Sequence, residues 1–467
     1  VSDVIERLSG VVAADRLLSG DDVGEDYGHD ECLTVDAVRP DAVVLPETTA
    51  EVSDILRIAQ ELRIPVTARG AGTGLSGAAT PERGGLVVSF ERMAKVLEID
   101  TENHVAVVQP GVRLADLDEH TRAHGLVYPV YPGEYSASLG GNVATNAGGM
   151  RAVKYGVTRH QVLGLELVLP GGEIMRSGGK FVKASTGYDL TQLVIGSEGT
   201  LALVTEATLK LYPRAAHQAT VLAPFATLDH VTAAVPRVVD SGVGPMVLEY
   251  IDLLTMSAVQ SFTGLELGIP EEVKASALAY LVVMMENPIE HRLEEDTEAL
   301  SELLFALGAM DVYALPSASA AGLIEAREKA FWMAKANGAD DIIDIVVPRA
   351  QISRFMDRVS ELATEYEAWI AGCGHAGDGN VHMGIFCGDD ERRSELLTQL
   401  FTAGMELGGA ISGEHGVGRA KQRYFNLLED PAKLALMGRI KSAFDPHGIL
   451  NPGILFEGDD LKREATP

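Results

Sequence analysis

The sequence predicts an α+β protein of more than one domain, and three observations carry that expectation. The chain has 467 residues, more than one ordinary domain holds. Residues 1–213 carry most of the turn glycine and read as many short strands. After Pro213 glycine thins out, and amphipathic helices alternate with strands.

Residues 1–35 read as a short helical lead-in over Val4–Leu8 and Ala13–Leu18, then an acidic loop. Val43–Leu45 is a short strand. Thr49 is a candidate N-cap, and Val52, Ile55, Leu56 and Ala59 recur at helical spacing. Pro65–Ala68 resumes an extended run, so a strand–helix–strand unit feeds the glycine-rich RGAGTGLSGAATP. Short strands follow at Leu86–Phe90 and Val105–Gln109, with a helix near Leu114–Ala123. A second glycine-rich stretch spans Pro132 to Gly156. Val162–Leu169 and Glu173–Ser177 flank Pro170-Gly171-Gly172, a hairpin signal. Ser197–Thr200 leads into an alternating strand over Leu201–Leu211. Past a boundary near residue 214, strands are expected at Leu281–Glu286 and Ile342–Val347. FDPHGILNPGILF forms a compact motif near the C-terminus, and the polar GDDLKREATP is expected to fray.

The formal net charge is -29, from 67 acidic and 38 basic residues. That balance argues against nucleic acid and against an anionic membrane surface, both of which want clustered Lys and Arg. A local cationic site for a small anion remains compatible with it. Three cysteines, Cys32, Cys373 and Cys387, show no CxxC spacing and fit a reducing compartment. No run reaches the roughly 18 apolar residues of a membrane span. VSDVIERLSG lacks a basic region followed by an apolar run, so no secretory signal is expected. The expected location is cytoplasmic, with any membrane association made through a partner.

Gly70, Gly72, Gly74 and Gly77 punctuate one turn after a strand. Glycine lets backbone N–H groups approach a ligand and form an anion-binding nest. One such loop alone is equally well a tight structural turn. Its GAGTG runs on to Pro81, which suits a Rossmann helix poorly, and no P-loop lysine follows. Three glycine-rich segments, Gly70–Gly77, Gly140–Gly149 and Gly196–Gly199, suggest a ligand long enough to touch all of them. A flavin dinucleotide is such a ligand, and the amides of Asn142 and Asn146 suit ring carbonyls and ribitol hydroxyls.

A second constellation is GHAGDGNVH, holding His375 and His382, followed by SGEHGVG with Glu414 and His415. Two histidines seven apart would face opposite sides of a continuous strand. The intervening GDGN is a turn signal that lets the imidazoles converge. Two neutral imidazoles and a carboxylate suit Zn²⁺ with a position left open, and ligand type leaves Mn²⁺ open as well. Each histidine taken singly is as well read as a hydrogen-bonded loop or core residue.

PVTARGAGTGLSGAATP, PGEYSASLGGNVATNAGGMRAVKYG and GSEGTLALVTEATLKLYP together resemble the PCMH-type FAD-binding domain of the vanillyl-alcohol-oxidase superfamily. The likeness runs from about residue 36 to 456. It points to the FAD-linked D-lactate, glycolate and D-2-hydroxyglutarate dehydrogenases. It implies a two-subdomain FAD-binding domain over 36–213 and an α+β cap with the metal site over 214–430. A segment over 431–457 would return to the FAD domain, ahead of a frayed tail over 458–467. By this likeness Arg69, Gly70, Ala71, Gly72, Thr73 and Gly74 cradle the diphosphate. Pro132, Gly133, Ser138, Gly140, Gly141, Asn142, Asn146, Gly148 and Gly149 would line the cofactor further along. Tyr155, Gly156, Glu198, Gly199, Val204 and Asn451 complete that set. Some relatives attach flavin through a histidine; the first glycine loop has none, so FAD is expected to be non-covalent.

HAGDGNVH and GEHG also match the metal motifs of the metal-dependent D-2-hydroxy-acid dehydrogenases. The match makes His375, His382 and Glu414 ligands, His415 the base and Arg327 the grip on the substrate carboxylate. Asp378 and Asn380 fall to turn-forming or supporting roles. The 2-hydroxyglutarate branch places a lysine where this chain has Ile342 and an asparagine where it has Gly384. A monocarboxylic acid such as D-lactate, glycolate or a larger apolar analogue is therefore expected. The alternatives are a non-redox synthase of the same fold, which Glu414 disfavours, and a catalytically silent flavin-binding module. The electron acceptor is left open between oxygen, a quinone, a cytochrome, an electron-transfer flavoprotein and an iron–sulfur subunit on another polypeptide. A homodimer is compatible with the sequence.

Overall fold

The computed structural model describes residues 2–81 and 85–456. The tail expected to fray, 458–467, lies outside the described residues. The architecture is α+β, built on three main sheets.

In the first sheet, strands Ala42–Val44, Leu86–Ser89 and Val66–Arg69 run parallel. Helix Thr49–Leu62 connects two of them and buries Val52, Ile55, Leu56 and Ala59, the residues whose spacing announced it. Its cap is Thr48, one residue earlier than expected, whose hydroxyl accepts from the Glu51 N–H at 3.2 Å. The first half of the lead-in is helical as expected, over Ser2–Leu8. In the second half only Ala14–Arg16 makes a helical turn, and Leu17–Ser19 becomes a strand antiparallel to Ala42–Val44. That edge would otherwise present unpaired backbone groups. Leu8 and Val12 are buried in the same core, so these residues are part of the unit.

The second sheet is antiparallel and five-stranded. Its order is Val96–Asp100, Val105–Val108, Leu203–Lys210, Val162–Val168, Ile174–Gly178. The Pro170-Gly171-Gly172 signal does close the last hairpin, with Val168 paired to Ile174.

From residue 217 onward a seven-stranded sheet forms the cap. Its order is Tyr313–Ala314, His217–Phe225, Ala279–Asn287, Val247–Asp252, Trp369–His375, Asn380–Phe386, Asp341–Val346. One face packs against helices such as Leu228–Asp240, Glu290–Ala306 and Ile352–Glu365 in the largest core cluster. The other face carries the Leu253–Thr263 and Ser317–Glu328 helices. No helix among the described residues is long and apolar enough to cross a membrane.

The polypeptide then returns to the first sheet. The Val66 N–H donates to Ile449 O at 2.7 Å, and the Asn451 N–H donates back to Val66 O at 2.7 Å. Lys441 secures this return. Its buried ammonium donates to Asp445 at 2.6 Å, Thr200 O at 2.7 Å and Leu450 O at 2.9 Å. Removing one partner of a buried ion pair strands the other charge. Lys441→Met should therefore cost about 3 kcal/mol or more of stability. The expected readout is a lower urea midpoint for the whole protein at unchanged m value.

Candidate active site

The site is assembled on one face of the cap sheet, and strand alternation explains how. His382 sits opposite Cys373, and His375 lies two residues beyond Cys373. Both imidazoles therefore project to the same side. Asp344 sits opposite His382 on the next strand, so it shares that side. Glu249 does too, two residues from Ile251, which pairs with Cys373. The GDGN turn thus reverses the backbone, and the two histidines become diagonal neighbours with ring centroids 4.8 Å apart.

Glu414 enters from the loop after residue 410. Its Oε1 lies 3.1 Å from His375 Nε2 and 3.1 Å from His382 Nε2. One atom from each of His375, His382 and Glu414 falls within 4.8 Å of the others. His415 lies beside them, its ring 5.1 Å from that of His382.

The loop is held by Asp344. One carboxylate oxygen accepts the backbone N–H groups of Gly413, Glu414 and His415 at 2.8, 2.7 and 3.0 Å. The other accepts the Ser412 hydroxyl at 3.0 Å and the Lys421 ammonium at 2.5 Å. It also lies 3.3 Å from His415 Nδ1. Burial opposes ionisation of Asp344, but His415 and Lys421 overcome it and hold the carboxyl well below its ordinary range. Burial pushes the His415 imidazole down to about 4 against the pull of Asp344, leaving it neutral.

A second buried carboxylate, Glu249, braces the opposite side. It meets His375 Nδ1 at 2.5 Å and Arg327 Nη2 at 2.9 Å. Burial would lower the His375 pKa, but Glu249 and Glu414 raise it well above the ordinary value. The two carboxylates thus favour positive charge on the His375 imidazole. Arg327 is buried rather than solvated, and its Nε has no hydrogen-bond partner. Lys329, two residues on, is exposed and pairs with Glu325.

Two cavities meet at this cluster. A cleft of about 210 Å³ is lined by Gly70, Ala71, Gly72, Thr73, Gly74, Pro132, Gly133 and Ser138. Gly141, Asn142, Gly148, Glu198, Gly199 and Asn451 line it further along. A cavity of about 490 Å³ is lined by Arg327, His375 and His382. Pro132, Gly133, Glu328, Phe331, Glu414 and His415 border both.

The cleft suits an elongated polar cofactor. Gly70 passes so close to Ser138 that a Cβ there would sit 2.0 Å from its hydroxyl oxygen. Ser138 Oγ instead accepts the Ala71 N–H at 3.2 Å. The amide nitrogen of Asn142 is buried without a partner. Glu198 joins the cleft to the loop that carries Glu414 and His415: its carboxylate accepts the Val417 and Gly418 N–H groups, each at 2.8 Å. Burial raises that carboxyl to about 7.

Several residues expected at the cofactor do not line this cleft. Arg69, Gly140 and Val204 line a neighbouring cavity of about 60 Å³. Arg69 donates to His29 O at 2.6 Å and stacks over Tyr27. Asn146, Gly149, Tyr155 and Gly156 line neither main cavity. Asn146 caps helix Leu139–Thr145 and accepts the Arg159 N–H at 2.9 Å. Gly149 is needed because a Cβ would lie 1.7 Å from Tyr131 O. Tyr155 bonds Glu286 of the cap, and Gly156 ends the short helix Ala152–Tyr155.

Sequence reasoning missed Glu249, Asp344 and Lys421. The signal was present for two of them. An acid inside MVLEYID and another inside DIIDIVV interrupt otherwise apolar strands, and a buried charge needs a partner.

Comparison with known proteins matches this arrangement to a class and then to a family. The chain is 60% identical over 456 residues to an uncharacterized FAD-linked oxidoreductase of Mycobacterium tuberculosis, covering 98% of this chain and 99% of that one. It is 37% identical to a D-lactate dehydrogenase of Anaerostipes hadrus, covering 97% and 96%. It is 39% identical to a glycolate oxidase subunit of Bacillus subtilis, covering 91% and 90%. Among solved structures, p-cresol methylhydroxylase with substrate bound superposes with TM-score 0.80 at 17% identity, covering 97% and 96%. An alkyldihydroxyacetonephosphate synthase superposes at 0.75 and 18%, covering 97% and 84%. These two share the fold.

The class is an FAD-dependent oxidoreductase. Residues 40–178 match the model of an FAD binding domain, and residues 214–455 match the C-terminal domain of FAD linked oxidases. The chain belongs to the FAD-linked oxidases, in the branch that holds D-lactate dehydrogenase, glycolate oxidase and D-2-hydroxyglutarate dehydrogenase.

The Asp344 hub gives a direct test. Asp344→Asn replaces one accepting oxygen by a donor that faces other donors. Amide exchange at Gly413, Glu414 and His415 should rise at least about tenfold, the equivalent of one lost hydrogen bond. Exchange in the Ala279–Asn287 strand should not change.

Proposed function

We propose that this protein oxidises a small D-2-hydroxy acid with one carboxylate to the 2-oxo acid, with a divalent ion held by His375, His382 and Glu414. The observation that carries this reading is the shared wall. Glu414 and His415 border both the cofactor cleft and the cavity that contains Arg327. Two imidazoles and a carboxylate suit Zn²⁺, and Mn²⁺ is the second choice. His382 Nε2 is buried and makes no hydrogen bond, an arrangement an ion would satisfy.

When bound, FAD would supply the two-electron acceptor and the divalent ion a Lewis acid. The residues do the rest. Arg327 presents an unpaired guanidinium edge to the substrate carboxylate, and Glu249 fixes its orientation. His415, neutral and braced by Asp344, takes the hydroxyl proton. Loss of that proton and of the C2 hydride turns the alcohol carbon into a carbonyl. Ile342 and Gly384 pair across strands and both line the cavity. Neither can hold a distal carboxylate, which favours a monocarboxylate such as D-lactate, glycolate or a larger apolar analogue. Electrons would then pass to a separate acceptor.

Anaerobic titration of the purified holoprotein with D- and L-2-hydroxy acids tests the reading. D-acids should bleach the flavin absorbance, and a chelator should stop them; bleaching that survives complete metal removal would delete the ion from the mechanism. His382→Ala should lose metal and turnover together while FAD content is kept. Arg327→Met should lower kcat/KM by at least about 100-fold.

A further inference from the structure

The larger cavity is far bigger than a lactate methyl group needs. Its volume is about 490 Å³, where one water needs about 10–15 Å³ on the same measure. Its shape follows from the sheet beneath it. His375, Cys373, Ala371 and Trp369 alternate along one strand onto the same face. His382, Gly384 and Phe386 stand opposite Cys373, Ala371 and Trp369. The floor therefore begins at the imidazoles and runs about 20 Å to Trp369, at about 3.3 Å per residue.

Along that floor polarity falls away. The middle is the small pair Ala371 and Gly384, flanked by Ile342. Leu254 and Ala258 form part of the facing wall. The far end is open: Trp369 is 71% exposed and Leu254 is 47% exposed. Every charged group named at the site lies at the near end.

We infer that the preferred substrate is a 2-hydroxy acid with an unbranched apolar tail of about six to ten carbons, its head at His375, His382 and Arg327 and its tail along Ala371 and Gly384 toward Trp369. The inference rests on the proposed oxidation and names its substrate class. The chemistry at C2 is the same for every tail length: the hydroxyl proton goes to His415 and two electrons with one hydrogen go to the flavin. Tail length enters through burial, and each buried methylene adds about fourfold in affinity for the transition state.

The test uses the holoenzyme with FAD and metal bound, and unbranched D-2-hydroxy acids of three, four, six, eight and ten carbons. Flavin reduction is followed anaerobically. kcat/KM should climb about fourfold per methylene up to six carbons or beyond. A flat or falling series from three to six carbons overturns the tail assignment while leaving the oxidation reading intact. Flavin that stays oxidised with every acid of the series, and with glycolate added as a two-carbon control, overturns both. Ala371→Leu narrows the middle of the floor and should reduce the eight-to-three-carbon ratio of kcat/KM at least tenfold. Ile342→Lys, which sets a charge beside the tail, should reduce it likewise and serves if the first variant does not fold. An unchanged ratio in a folded, FAD-loaded variant places the tail elsewhere and ends the proposal.

Discussion

One carboxylate organises the chemistry of this molecule. Asp344 lies on the edge strand of the cap sheet and gathers three successive backbone N–H groups, a serine hydroxyl and a lysine ammonium. The loop that carries Glu414 and His415 has no regular secondary structure to fix it. Around Glu414 and His415 its geometry is borrowed from the sheet through Asp344. A buried carboxylate is costly unless charge and hydrogen bonds surround it, and here the groups that offset the cost are the ones that must be placed.

Glu249 does the matching work on the other flank. It touches His375 and Arg327 at once, so the imidazole and the guanidinium share one anchor. The protein carries a net charge of -29, yet its buried site contains Arg327, Lys421 and three imidazoles. Local arrangement, not overall balance, sets what a small anion meets. Glu198 extends the same logic to the cofactor cleft, since its carboxylate grips the loop from the flavin side.

Much of this was legible in the sequence, for identifiable reasons. Glycine loops declare themselves because only glycine allows the approach of Gly70 to Ser138. The histidine pair was readable because GDGN forces a reversal between two strand segments. The Pro170-Gly171-Gly172 hairpin and the Thr49–Leu62 helix followed from turn chemistry and spacing. What escaped depended on partners far away in sequence. Leu17–Ser19 is a strand only because Ala42–Val44 offers an edge. Asp344 and Glu249 looked like strand residues of the wrong polarity until the sheet order brought them beside His382 and His375. Asn146 and Tyr155 sit in a glycine-rich motif, yet their side chains serve a helix end and the cap.

The return of the polypeptide to Val66 has a consequence for biosynthesis. Residues 449–451 add hydrogen bonds to the first sheet, and Lys441 and Asp445 lock that return against Thr200. During synthesis the N-terminal half emerges first, but its edge beside Val66–Arg69 stays open until residues 449–451 have been made. The cap, whose strands all lie between residues 217 and 386, can close earlier. A polypeptide cut before residue 449 would therefore keep every strand of the cap and lack these bonds at the first sheet.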